Sequence, residues 1–152
     1  MRIALGADHA GFELKRDLAG HLAQHGHEII DLGTHSTAPV DYPDTAEAVA
    51  TAVRNGQADR GILLCGSGAG VSAAASKFPG IRAAVCHDTY SARQAVEHDD
   101  LNVLCLGARV IGPALARTLV DAFVGAAFVG EERYLRRLAK LDAIENRFLR
   151  DE

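Results

Sequence analysis

The chain carries no basic run: its 16 lysines and arginines are outnumbered by 20 acids, for a formal net charge of −4. A nucleic acid is therefore not an expected partner, because nothing stands ready to neutralise a phosphate backbone, although a few local arginines could grip a small anion. No apolar run approaches membrane-spanning length, so no membrane partner is expected. The opening letters, MRIALGADHAG, pass directly into a strand pattern with no charged-then-apolar signal segment, and the expected location is the cytoplasm. Cysteine is scarce. Cys65, Cys86 and Cys105 form no CxxC pair and leave an odd number, which indicates neither a disulfide framework nor a zinc cluster. No Gly/Ser/Pro linker or composition break divides the chain, and with 48% apolar residues it can bury one substantial core. One domain over residues 1–152 is expected.

What the chain does have is an alternation of short apolar runs with helical patterns, the signature of βα units and a parallel sheet covered on both faces. The runs predict strands over 2–6, 28–32, 61–65, 82–86 and 102–106, and helices over 11–25, 42–55, 68–78, 88–97 and 113–124. Pro113 suits a first helical turn, and Gly26 and Gly56 suit helix ends. The expected fold is α/β: a three-layer α/β/α sandwich with a five-stranded parallel Rossmann-like sheet and an extra C-terminal helix. Right-handed crossovers put every strand's C-terminal end on one sheet edge, where ligands of open α/β folds bind. Asp8 and His9, the segment 33–41, Cys65 to Gly70, His87 and Asp88, and Gly107 and Arg109 all fall there.

The stretch ILLCGSGAGVSAAASK at 62–77 reads as a strand ending at Cys65, a turn with Gly66, Gly68 and Gly70, and an Ala/Ser-rich helix. Glycines let successive backbone N–H groups converge on one spot, and a helix N-terminus adds partial positive charge. A thiol there can become partly thiolate at neutral pH and act as a base or nucleophile. Three familiar loops do not fit. A dinucleotide fingerprint needs glycine where Val71 stands, a Walker loop needs a closing Gly-Lys-Ser/Thr, and a C-x5-R loop needs arginine at Val71. Asp88, at the end of the next strand, keeps a nucleotide- or phosphometabolite-binding module open as an alternative. A thiol redox sensor built on Cys65 and Cys86 is another.

His21, His25 and His27 cluster in sequence, but the end of the first helix lies at the sheet edge opposite Cys65 and no nearby carboxylate or cysteine completes a ligand set. No metal is expected. His98 precedes the fifth strand in a loop at that same far edge, so if it is functional it reaches the crevice of a partner subunit. The last segment, 131–149, predicts a helix with Tyr134, Leu138, Leu141, Ile144 and Phe148 in one apolar stripe. A helix following a complete five-strand unit has little of its own core to cover. Packing on another subunit is expected, giving a homodimer or a tetramer, with Arg133 and Arg137 spaced to clamp a phosphate.

The segments GADHAGFELK at 6–15, DLGT at 31–34, DYPD at 41–44, LLCGSGAGVSAAASKFPGIRAA at 63–84 and YSARQAVEHDDLNVLCLGARVIG at 90–112 carry a resemblance over essentially the whole chain. The sequence resembles the type B ribose-5-phosphate isomerases, a group that also includes galactose-6-phosphate and allose-6-phosphate isomerases. That resemblance implies aldose–ketose isomerisation of a sugar phosphate with neither metal nor organic cofactor. It implies that Cys65 is the base shuttling a proton between C2 and C1, and that His98 assists ring opening with Asp8 placed to help. Ser67 would relay a proton, and Gly66, Gly68, Ala69 and Gly70 would hold the enediolate. His9, Arg109, Arg133 and Arg137 match phosphate-binding positions. Some members use a glutamate elsewhere in the loop helix instead of the cysteine. Ser67 stands where threonine is frequent and keeps the hydroxyl; Asp99 stands beside the histidine where asparagine is frequent, which bears on the preferred sugar.

Overall fold

A computed structural model describes residues 1–149. Five parallel strands, β1 (Arg2–Ala7), β2 (Glu28–Asp31), β3 (Arg60–Cys65), β4 (Ala83–Val85) and β5 (Val103–Gly107), lie in the order β2-β1-β3-β5-β4. The crossovers carry helices α1 (Phe12–Gln24), α2 (Tyr42–Arg54), α3 (Ala69–Ala75) and α4 (Thr89–Asp99), followed by α5 (Pro113–Gly125) and α6 (Glu132–Phe148). The three-layer sandwich expected from the alternation is the one observed.

Side chains alternate along each strand, so each face of the sheet has its own core. Ile3, Leu5, Ile62, Leu64, Leu104 and Leu106 meet α1, α4 and α5 through residues such as Leu18, Val96 and Phe123. Ala4, Leu63, Cys65, Val103 and Cys105 face α2 and α3 through Val49, Ala50, Val71 and Ala75. Because β2 and β3 lie on opposite sides of β1, chain direction across the sheet reverses between β1 and β3, and a crevice opens there at the strands' C-terminal ends. Asp8 follows one of those strands and Cys65 ends the other.

Most elements begin or end within a residue or two of expectation, and three of the differences have local reasons. Helix α3 is shorter than 68–78, because Gly68 takes φ +81° and stands outside it as the N-cap. Strand β4 shrinks to three residues at the sheet edge, where only β5 supports it. Helix α4 runs on through His98 and Asp99 and stops at Asp100, whose left-handed φ of 51° closes the last turn. His98 therefore sits on a helix rather than in a loop.

Lys15 is a fully buried charged side chain, 1% exposed, and its ammonium donates to Asp31 Oδ1 (2.5 Å) and to the carbonyl of Thr34 (2.6 Å). It ties α1 to the loop that leaves β2. Removing the carboxylate strands a buried cation, whereas removing the lysine leaves a half-exposed aspartate that water can solvate. Asp31→Ala is expected to cost on the order of 2–3 kcal/mol and Lys15→Met clearly less, as read by urea denaturation.

Candidate active site

Strand β3 ends at Cys65, and the chain turns at once back across β5. A Cβ on Gly68 would come within 3.0 Å of the Leu106 carbonyl carbon, and one on Gly107 within 2.7 Å of the backbone of Ser67. The loop can cross there only because both positions are glycine. Two further bonds strap the β5 exit to the loop, Ala108 N–H to the Cys65 carbonyl (2.8 Å) and Arg109 N–H to the Gly66 carbonyl (3.0 Å). The Gly107 amide donates to His87 Nε2 at 3.0 Å. As a result the Arg109 side chain lies over Gly66, with Cδ and Nη1 3.5 Å from where a Cβ would be.

Cys65 is 5% exposed, and its Sγ accepts the Gly68 N–H at 3.1 Å. With α3 only seven residues long, the Gly68 amide is the one donor the loop brings directly to the sulfur. Ser67 is exposed, and its Oγ accepts from Ala69 N–H at 3.2 Å. The amides of Ser67 and Gly70 meet no acceptor among the described residues, which leaves two donors free at the mouth of the loop.

Across the crevice, Asp8 is buried; its Oδ1 accepts from Ala10 N–H (3.0 Å) and Gly11 N–H (3.2 Å), and its own amide donates to the Leu64 carbonyl. His9 beside it takes the Val40 N–H on Nδ1 at 3.2 Å. Asp8, Tyr42, Cys65, Ser67, Gly70 and Arg109 line a cavity of about 550 Å³. Arg109 forms no ion pair with a carboxylate among the described residues, so its charge is available to an anion. Tyr42 was not singled out in the sequence. Its ring sits 3.0 Å from where a Gly70 Cβ would stand, a tertiary contact that no local pattern announces.

Four expected site residues lie elsewhere. His98 and Asp99 are in the last turn of α4, at the opposite sheet edge, and Arg133 and Arg137 are on α6 beside them. There His98 stacks on Tyr134, with ring centroids 4.3 Å apart, and the Tyr134 hydroxyl lies 3.0 Å from His98 Nε2. Arg133 donates to the same hydroxyl at 2.8 Å, and the Arg137 guanidinium lies 6.0 Å from the Tyr134 ring centroid. Within one chain, then, the thiol and the histidine belong to two separate clusters.

The alternatives raised by the sequence lose their key residues. Asp88 is occupied as the N-cap of α4, where the Ser91 amide donates to Oδ1 at 2.7 Å and holds the carboxyl below the usual range. Cys86 and Cys105 are buried, and burial pushes both thiols up, away from the reactive thiolate a redox pair needs. A carboxylate does reach His21, from Asp121 at 2.8 Å, but among the described residues no group of three or more side chains could hold a metal. No described helix is long and apolar enough to cross a membrane. A separate cavity of about 450 Å³ under α6, lined by Ile81, Leu101, Leu141 and Ile144, lacks the thiol and the open amides of the crevice.

Fold and crevice together are those of an open α/β protein with a cavity at the sheet's switch point, the place where ligands of such folds bind. The chain belongs to the Ribose/Galactose Isomerase family, whose profile matches residues 3–141. It is 49% identical over 146 residues to ribose-5-phosphate isomerase B of Escherichia coli (strain K12), covering 96% of this chain and 97% of that one. It is 46% identical over 132 residues to D-erythrulose-4-phosphate isomerase of Pectobacterium atrosepticum, covering 86% of each. The solved structure of ribose-5-phosphate isomerase B from Clostridium thermocellum superposes with a TM-score of 0.95 at 49% identity, over 98% of this chain and 100% of that one.

Proposed function

We propose that the protein interconverts D-ribose 5-phosphate and D-ribulose 5-phosphate through an enediolate, as a cytoplasmic homodimer whose crevices each draw on two chains. The observation that carries this reading is the Cys65 sulfur, held by the Gly68 amide and opening onto the same cavity as Asp8 and Arg109. Once the sugar is open, the thiolate takes the C2 proton. The electron pair moves onto O1, and the unengaged Ser67 and Gly70 amides meet the charge that develops there. Returning the proton to C1 while the O2 hydroxyl proton passes to O1, with Ser67 Oγ as the relay, completes the ketose. The steps as written need no metal or organic cofactor.

Ring opening and much of the phosphate grip fall to groups that one chain keeps at its far edge. His98, Arg133 and Arg137 reach a crevice only if a second subunit brings them there, joining Asp8, His9 and Arg109. The exposed apolar stripe of α6 supports such a partner: Leu141 and Ile144 are each 50% exposed and Phe148 is 76% exposed. Holding the phosphate away from the reacting carbons fixes the chain over the sulfur.

The relatives act on sugars of different length by their names, so kcat/KM measured in parallel on four-, five- and six-carbon aldose phosphates decides the substrate. Ribose 5-phosphate is expected to give the highest value. A higher value for allose or galactose 6-phosphate would move the assignment to the six-carbon reading. Tight NAD binding by calorimetry with no turnover of any sugar phosphate would instead leave a binding module.

A further inference from the structure

Strand β5 gives its amides to its two neighbours in turn. Ala108 N–H goes to the Cys65 carbonyl at the end of β3, and Val103 N–H goes to the Arg82 carbonyl on the β4 side. Gly107, four residues after Val103, therefore points its N–H towards β4 as well. By then β4 has ended, at Val85, and no backbone carbonyl takes that amide among the described residues. Gly107 is buried, so its N–H needs an acceptor, and a side chain supplies it: His87 Nε2 at 3.0 Å. A backbone amide can only donate, which settles the direction of this bond. Nε2 presents its lone pair, and the proton of the neutral ring stands on Nδ1.

The loop that carries the thiol rests on that amide. A Cβ on Gly68 would stand 3.2 Å from the Gly107 nitrogen, and one on Gly107 within 2.7 Å of the Ser67 backbone. The two stretches of backbone touch with no side chain between them. Gly68 is also the residue whose amide meets Cys65 Sγ at 3.1 Å. The Ala108 and Arg109 amides tie the β5 exit to Cys65 and Gly66 on the β3 side, and His87 ties it from the opposite side. His87 is itself held in place, because Asp88 next to it caps α4 by accepting the Ser91 amide at 2.7 Å.

We infer that His87 is a positioning residue for proton transfer: its imidazole replaces the β4 carbonyl that is missing, holds the Gly107 peptide under Gly68, and so sets the Ser67 and Gly68 amides against the enediolate and the Cys65 sulfur. This rests on the role of Cys65 proposed above and adds what supports its loop from behind. His87 touches no reacting atom. Arg109 takes its position from the bond between its own amide and Gly66, so phosphate binding does not depend on the imidazole.

His87→Leu keeps an apolar body and removes the acceptor, whereas His87→Gln restores one, since a glutamine amide oxygen reaches about as far from the backbone as Nε2 does. Ribulose 5-phosphate forms no furanose, because its O5 carries the phosphate, so isomerisation started from it reads proton transfer without ring opening. His87→Leu is expected to lower kcat in that direction about tenfold, the scale of one lost orienting hydrogen bond, with a linear phosphate analogue bound within about twofold of wild type. His87→Gln is expected to recover kcat to within about threefold of wild type. An unchanged kcat in His87→Leu, equal losses in the two variants, or a matching loss of analogue binding would overturn the inference. Nitrogen-15 spectra of the wild-type protein test the bond without reference to activity or to the folding of a variant. A scalar coupling between the Gly107 nitrogen and His87 Nε2, with the ring proton on Nδ1, is expected; a protonated Nε2 or an absent coupling would overturn the inference. If Cys65→Ala isomerises ribulose 5-phosphate at the wild-type rate, the role of the thiol falls, while the coupling still reports on the tie.

Discussion

Cys65→Ala is expected to lower isomerisation of ribose 5-phosphate by about a thousandfold, the middle of the range for loss of a positioned acid–base group, while a linear phosphate analogue binds within a few-fold of wild type. The split follows from the geometry. The groups proposed to grip the phosphate are His9 and the arginines, none of which depends on the thiol for its position; Arg109 is set by its own amide bonded to the Gly66 carbonyl. The sulfur lies among β-strand and α2/α3 side chains on the sheet's second face, and removing it leaves a small gap beside the Gly68 amide. Neither the nearby thiol nor the nearby hydroxyl is placed to replace the base. Cys105 is buried with its thiol pushed up, and Ser67 Oγ accepts a hydrogen bond from the Ala69 amide. Steady-state kinetics and calorimetry on the same preparation check both halves of the expectation.

Mixing two inactive variants is expected to restore activity. Equal amounts of Cys65→Ala and His98→Ala subunits, re-equilibrated as dimers, give about half heterodimers, and each of these holds one crevice with both residues native. Recovery should approach a quarter of the wild-type rate. The basis is the separation within one chain: β3 delivers Cys65 to the sheet's C-terminal edge, while α4, running back, delivers His98 to the other. The failure of mixed dimers, confirmed as such, to exceed the background of either parent would place both residues in one chain's site or remove His98 from the reaction.

The layer architecture and the sheet edge that carries the crevice were legible because they follow from periodicity and crossover handedness, whereas the strand order that opens the crevice between β1 and β3 was not. The loop at Cys65 was legible for a related reason: three glycines in alternation after an apolar strand leave the backbone few other courses, and Gly68 takes the left-handed conformation that position implies. Partners joined only by tertiary contact were not. Tyr42 enters the crevice across Gly70, His87 holds the Gly107 amide, and Tyr134 was legible as part of an apolar stripe but not as the cap on His98. The end of α4 was missed because Asp100, rather than a glycine, takes the left-handed position that stops the helix. The Lys15–Asp31 pair was hidden for a different reason, since a lysine in a helical pattern reads as solvated until the loop after β2 is folded over it.

The most direct measurement is a crystal structure with a linear five-carbon phosphate analogue bound. The account predicts the Cys65 sulfur within van der Waals reach of C1 and C2, about 3.5 Å away, the analogue's oxygens on the Ser67 and Gly70 amides, and the phosphate between Arg109 of one chain and Arg133 and Arg137 of another. An analogue bound with its carbons turned from the sulfur, or held wholly by residues of one chain, would contradict it.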